Sequence, residues 1–183
     1  MKFIFDFDDV LFHNTKKFKE HMYVSLEKAG VSRAEAEEYY KKVGGAQFGL
    51  RKILDHFSVK GNLYVKLLDD SKNFINKDLL DIVKKLGKEN CYIVTHSADE
   101  AWQKDKIQNT GIESFFTEIN IVPEGKKEAI EKICERHKDE EVVFIDDKAK
   151  HFADLNFVKY PNLKTILYDE QGFQKLTSIL SKS

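Results

Sequence analysis

The sequence predicts an α/β fold: a parallel sheet flanked by helices on both faces, with a block of helices inserted after the first strand. Three observations predict it. Short apolar runs recur along the chain, and helical patterns separate the later ones. Two of these runs end abruptly in acids, Phe3-Ile-Phe-Asp6-Phe-Asp8-Asp9 and Val142-Val-Phe-Ile-Asp146-Asp147. Between the first run and the second, from about Asn14 to Phe74, no convincing strand occurs and the pattern is helical throughout.

The first strand is Lys2–Phe7, an apolar run that delivers Asp6 and Asp8 to its carboxyl end. Open parallel sheets place their active sites at that edge. Three acids within four residues are costly to bury unless a cation or a phosphoryl ligand compensates them. Consecutive helices follow: Thr15–Ala29, Ser32–Val43, roughly Gln47–Phe57 and Leu63–Asp70. Ser32 with Glu35 has the capping-box spacing, and Gly30 and Gly44-Gly45 supply breaks. Asn76 caps a helix over Lys77–Leu86, which Gly87 ends. A strand at Cys91–Thr95 leads into a helix through Ile107, with Ser97 and Glu100 at capping-box spacing and Gly111 as the stop. Then come a strand at Glu118–Val122, a helix over Lys126–His137 with Ala129, Ile130, Ile133 and Cys134 at helical spacing, and strands at Val142–Asp146 and Lys164–Tyr168. Residues 1–13 and 75–183 are expected to form the α/β core, and residues 14–74 an inserted helical subdomain rising over Asp6 and Asp8.

Composition narrows the function. Charged residues make up 33% of the 183, yet the formal net charge is −1, which gives no broad basic surface for nucleic acid. No apolar stretch has the length of a membrane span, and no signal peptide precedes the first strand, so a cytoplasmic location is expected. Cys91 and Cys134 are far apart and in no metal or redox spacing, which predicts reduced, buried thiols. The six histidines show no zinc-binding spacing. Only Pro123 and Pro161 occur, so there is no proline-rich linker, and no internal repeat is visible.

Four groups fall at strand ends: Asp6/Asp8, Thr95, Lys126 and Asp146/Asp147. Taken singly, Thr95 reads as a strand terminator and Lys126 as a solvated lysine at a helix start. Taken together, in this order and each at a strand-to-helix transition, they make a poor coincidence. Two strands that each run into paired acids suggest one metal site built from both ends of the chain.

In these residues the chain resembles the haloacid dehalogenase-like superfamily of phosphatases, over nearly everything outside the insert. Asp6-Phe7-Asp8-Asp9-Val10 is similar to the superfamily's first motif, Asp-x-Asp-x-Thr/Val after an apolar strand. Tyr92-Ile-Val-Thr95 matches the strand ending in Thr or Ser, Gly125-Lys126-Lys127-Glu-Ala-Ile130 the lysine opening a helix, and Phe144-Ile-Asp-Asp147 the terminal acidic pair. Lys106-Ile-Gln-Asn-Thr-Gly-Ile-Glu-Ser-Phe-Phe116 resembles the segment between the second and third motifs. The resemblance implies a Rossmann-like core, and a helical cap in the insert.

It also implies roles. Asp6 would be the nucleophile, giving an aspartyl-phosphate, and Asp8 the acid for the leaving alcohol and then the base for water. Mg²⁺ would be held by Asp6, the backbone carbonyl of Asp8 and Asp147, with Asp146 as a further ligand or a partner of the ligands. Thr95, with backbone N–H groups near His96 and Ser97, would hold phosphoryl oxygens. Lys126 would neutralise phosphoryl charge and keep Asp6 ionised; it is preferred to Lys127 because it stands three residues before Ala129.

Three positions depart from the family pattern: Asp9 where Gly is common, His96 where Asn is frequent, and His151 where many members have Asn or Asp. Phosphotransfer would use the same residues as hydrolysis. Dehalogenation would need no Asp8, and a receiver-type signalling domain would place its lysine after the last motif strand, whereas Lys126 precedes Asp146. A degenerate, non-catalytic domain that binds a phosphorylated ligand is the remaining alternative. The expected substrate is a small phosphorylated molecule, because a cap excludes bulk and water. His13, Gln47, Phe48 and Arg51 are candidates to face it, Arg51 competing with an i,i+4 pair to Asp55. The sequence carries no signal for oligomeric state.

Overall fold

A computed structural model describes residues 1–13 and 15–180. β1 (Lys2–Phe5) runs through the middle of a parallel sheet ordered β3-β2-β1-β4-β5, whose other members are β2 (Cys91–His96), β3 (Glu118–Val122), β4 (Val142–Asp146) and β5 (Leu163–Leu167). The inner strands β1, β2 and β4 are buried on both faces, as a covered parallel sheet requires, while the edge strands β3 and β5 stay partly exposed. Phe3 and Phe5 belong to one core with Ile93, Val143 and Ile145, while Ile4 belongs to the other with Val94 and Phe144. The helix α7 (Lys127–Arg136) closes the second core with Ile130, Ile133 and Cys134. On the first lie α5 (Lys77–Leu86), α6 (Glu100–Thr110) and α8 (Glu170–Leu180), through Leu79, Ile107 and Leu176. This is the expected Rossmann-like α/β architecture.

Register brings the strand ends together. Phe5 pairs with Ile93 on one side and Ile145 on the other, so Asp6, Thr95 and Asp146 emerge at one sheet edge. β1 stops two residues before the expected end. Phe7 donates its N–H back to the Asp6 carboxylate, and its carbonyl accepts from Phe12, which turns the chain over on itself.

Four helices follow this turn: α1 (Thr15–Lys28), α2 (Arg33–Val43), α3 (Leu50–His56) and α4 (Leu63–Ser71). Asn14, the first residue of the expected insert, and residues 181–183 lie outside the described residues. The entry and exit segments are paired: His13 donates to Phe74 and Asn76 to Leu11 across a single antiparallel bridge between Phe12 and Ile75. Helix α3 starts at Leu50 instead of Gln47. Extended Phe48 and Gly49 precede it, and a side chain at Gly49 would begin 2.2 Å from an Asp99 carboxylate oxygen. Helix α4 packs along α6, where the Tyr64 hydroxyl donates to Asp105. Arg51 does not pair with Asp55; it lies 3.8 Å over the Tyr64 ring and 3.6 Å from Asp105.

The capping box at Ser32/Glu35 forms, and Asn76 accepts from Leu79 N–H. The box expected at Ser97/Glu100 does not. β2 runs to His96, and Ser97 N–H still serves Val122 of β3, so Ser97 stands too early to cap. Asp99 caps α6 instead, accepting from Trp102 N–H at 3.0 Å. Helix α8 has no counterpart in the expected elements. Its start is fixed by Asp169, which accepts from Gly172 N–H, and Gly172 is there because a Cβ would sit 2.0 Å from the Leu167 carbonyl oxygen. No helix among the described residues is long and apolar enough to cross a membrane.

Candidate active site

At the carboxyl edge of the sheet, Lys126 lies between two carboxylates. Its ammonium is 2.7 Å from Asp6 and 2.6 Å from Asp146, and all three side chains are almost entirely buried. Lys126 stands at the position preceding α7 and makes no capping bond, so the start of the helix aims it under the sheet edge. Lys127, one residue on, is exposed. Such an ion set survives burial because every member has charge-assisted partners. Asp146 also accepts from His151 Nδ1 at 2.8 Å and from Lys148 N–H at 2.8 Å. A carboxylate only accepts, so His151 carries its proton on Nδ1. Burial holds the His151 imidazole below its usual range, the bond to Asp146 opposes, and Lys126 adds to the lowering.

Asp6 accepts from Phe7 N–H on one oxygen and from Lys126 on the other. Burial pushes its carboxyl up to about 7; Lys126 opposes this, while the charges of Asp146 and Asp8 add to it. Asp147 is half-buried, 3.2 Å from the Lys148 ammonium. Its carboxyl is also raised, chiefly by burial, with Lys148 opposing and Asp146 and Asp9 contributing. The ligand atoms of Asp6, Asp146 and His151 lie within 4.8 Å of one another. That trio holds no vacancy for a metal, because the Lys126 ammonium bridges its two acids. At Asp6 and Asp147 burial outweighs the lysine beside each acid, and both carboxyls are raised.

Asp8 turns away from this cluster. Its carboxylate accepts from Lys106 Nζ at 2.6 Å and from Gln103 Nε2 at 2.8 Å, both on α6. Thr95 is buried, and its hydroxyl lies 3.1 Å from the same Gln103 nitrogen. His96 directs its ring nitrogen to the Pro123 carbonyl at 3.1 Å, and Ser97 N–H is spent on Val122. Ser97 therefore cannot offer the backbone donor expected of it, since the strand continues past Thr95.

Asp9 has φ +60, a left-handed conformation that glycine adopts freely and that Asp tolerates better than most residues. Its carboxylate does not point to open solvent; it accepts from Thr15 N–H and the Thr15 hydroxyl at the start of α1.

A cavity of about 400 Å³ opens above the edge. Its floor includes Asp6, Asp8, Thr95, His96 and Lys126, and its walls include Phe12, Phe18, Phe48, Trp102, Lys19 and Tyr40. Of the insert-side candidates Phe48 lines it, whereas His13 and Gln47 are exposed. The structure thus brings Asp6, Asp8, Thr95, His96 and Lys126 to one cavity and places Asp146 beneath it. Gln103 and Lys106 were not foreseen as site residues. The available signal is the helix itself: α6 must bury one face, yet between Trp102 and Ile107 that face carries Gln103 and Lys106.

The fold has counterparts among solved structures. A search of curated proteins returns no match. Among solved structures, a haloacid dehalogenase-like protein of Burkholderia xenovorans LB400 superposes with a TM-score of 0.69 at 16% identity, over 94% of this chain and 89% of the other. A HAD phosphatase of Thermococcus onnurineus gives 0.60 at 19% identity over 94% and 88%, and a hydrolase of Streptococcus pneumoniae TIGR4 gives 0.56 at 14% over 98% and 97%. At these identities the likeness is one of fold. The model of the haloacid dehalogenase-like hydrolase family matches residues 3–151, and the chain belongs to that family of hydrolases.

Proposed function

We propose that the chain is a Mg²⁺-dependent phosphatase that hydrolyses a small phosphate monoester through an aspartyl-phosphate on Asp6, with the helices of residues 14–74 acting as the cap. The observation that carries this is the buried Lys126 held between Asp6 and Asp146, with Asp8 opening into the same cavity. Asp6 supplies the attacking oxygen, and Lys126 keeps it anionic against the burial that raises its proton affinity. Asp8 gives its carboxyl proton to the leaving oxygen and later takes one from water. Thr95 donates its hydroxyl hydrogen to a phosphoryl oxygen. The aromatic wall of Phe18, Phe48 and Trp102 receives the alcohol part of the ester and excludes water.

The donor set fits a hard divalent cation. Asp6 and Asp147 are carboxylates raised by burial and by neighbouring acids, and a cation would relieve both. Asp6, Asp147 and the Asp8 carbonyl would hold it, with Asp146 as the partner of Lys126. When bound, Mg²⁺ supplies charge neutralisation between an anionic nucleophile and an anionic substrate. A screen of phosphorylated metabolites with and without Mg²⁺, run beside a 2-haloacid, tests the reading. Phosphate release confined to small monoesters is expected; halide release without phosphate release would sink it.

A further inference from the structure

We propose that Lys106 and Gln103 are positioning residues that aim the Asp8 carboxylate, and with it the Thr95 hydroxyl, at the reacting phosphoryl group. This rests on the phosphatase reading. Lys106 is 5% exposed, unusual for a lysine, and its ammonium lies 5.2, 5.0 and 5.5 Å from the ring centres of Phe7, Phe12 and Trp102. Three ring faces fix the cation, and the cation fixes Asp8 at 2.6 Å. Stability alone does not call for this arrangement. Apolar side chains of similar volume generally serve a core at least as well as a buried ion pair.

Gln103 adds the second constraint. Its amide orientation is dictated by chemistry, because only a donor can face a carboxylate oxygen. Nε2 therefore meets Asp8 at 2.8 Å and Thr95 Oγ1 at 3.1 Å, spending one hydrogen on each. Thr95 accepts that hydrogen, which leaves its own hydroxyl hydrogen for the cavity. One amide thus sets both the proton-transfer group and a phosphoryl donor. Each Asp8 oxygen accepts one bond from α6 and keeps a lone-pair direction for the substrate side.

The chemical consequence is specific. In the first step the bond from Asp6 oxygen to phosphorus forms, the phosphorus–alkoxide bond breaks, and the Asp8 proton goes to the leaving oxygen. In the second, water oxygen attacks phosphorus, its proton goes to Asp8, and Asp6 departs as carboxylate. A misaimed Asp8 slows the first step only where the leaving group needs a proton, but it slows the second step for every ester.

The test compares 2-phenylethyl phosphate with 4-nitrophenyl phosphate in the Mg²⁺-loaded full chain, for the parent, Lys106→Met, Lys106→Arg and Gln103→Leu. Because kcat/KM reports the first step, Lys106→Met should lower it on the order of 10²-fold for the alkyl ester and under about 3-fold for the activated aryl ester. Its kcat should fall for both, with a burst of nitrophenol, and Lys106→Arg should restore most of the alkyl activity. Gln103→Leu should lower kcat/KM for both esters through the lost aim of Thr95, with a further fall for the alkyl ester alone, and that difference between the esters carries the test if Lys106→Met fails to fold. Equal losses on the two esters, or no loss, in variants with parental melting temperatures would overturn the inference alone. A parent inactive on both esters would overturn the phosphatase reading and the inference with it.

Discussion

The Asp9 carboxylate accepts both the Thr15 N–H and the Thr15 hydroxyl at 2.8 Å, from a backbone held at φ +60. An acid six residues upstream thus does for α1 what an N-cap does, and it ties the first turn of that helix to the loop carrying Asp6 and Asp8. Asp9→Ala loses the cap and keeps the left-handed strain, so it should cost about 1–2 kcal/mol. Asp9→Asn retains an acceptor and tolerates the conformation, so it should cost less than half of that. Urea unfolding of the two variants checks this; equal costs would place the effect elsewhere.

Lys126 and Lys127 are neighbours with opposite surroundings. Lys126→Met leaves Asp6 and Asp146 buried without their shared cation, and a loss of about 3–5 kcal/mol is expected. Lys127→Ala removes an exposed charge and should change stability by about 0.5 kcal/mol or less. Denaturant midpoints in the presence of EDTA give the comparison without a bound cation. Similar costs for both would contradict the burial of the Lys126 ion set.

Cys91 and Cys134 are fully buried, and burial pushes their thiols up to about 12 and about 11. The thiolate is the reactive species, so at pH 8 almost none is available in the folded chain. An aromatic disulfide reagent should titrate no thiol rapidly in the native protein and both in guanidinium. Fast native labelling of either would mean that the helix above it opens easily.

Much of the fold was legible because strands and acids coincide. The apolar runs are short, and two end in paired carboxylates, so strand identity and sheet edge were both readable from Phe5-Asp6 and Ile145-Asp146. The ends were less legible where one residue serves two purposes. Ser97 has the spacing of a cap, yet its N–H completes the β2–β3 ladder, and Asp99 takes the cap instead. Helix α8 was hidden because Gly172 weakens its pattern, although only glycine fits against Leu167. At the site, the groups set by backbone register came through, whereas Lys106 and Gln103 depend on which face of α6 turns inward. Their polarity hid that face from a hydrophobic count.

Metal removal is the next expectation. Asp6, Asp8 and Asp147 are acids gathered near the place proposed for an anionic substrate, and burial raises the carboxyls of Asp6 and Asp147 even with Lys126 and Lys148 beside them. EDTA should abolish phosphate release, and added Mg²⁺ should restore it. Full turnover in metal-free buffer would rule out the cation from the proposed chemistry.

Asp6 and Asp8 sit two residues apart with different partners, Lys126 for one and Lys106 with Gln103 for the other, and the proposed reaction gives them different work. Asp6→Asn keeps the size and much of the hydrogen bonding but removes the attacking oxygen, so no phosphoenzyme can form. Asp8→Asn keeps the nucleophile and loses the acid for the alcohol and the base for water. With 4-nitrophenyl phosphate, which departs with little protonation, the Asp8 variant should still complete its first step. Its intermediate should then persist, because nothing activates water. Acid quenching after a short incubation should trap a phosphoaspartate in the Asp8 variant and none in the Asp6 variant, with steady-state turnover lowered on the order of 10²-fold or more in both. Turnover surviving in the Asp6 variant, together with lost labelling in the Asp8 variant, would show that the attacking oxygen belongs to Asp8.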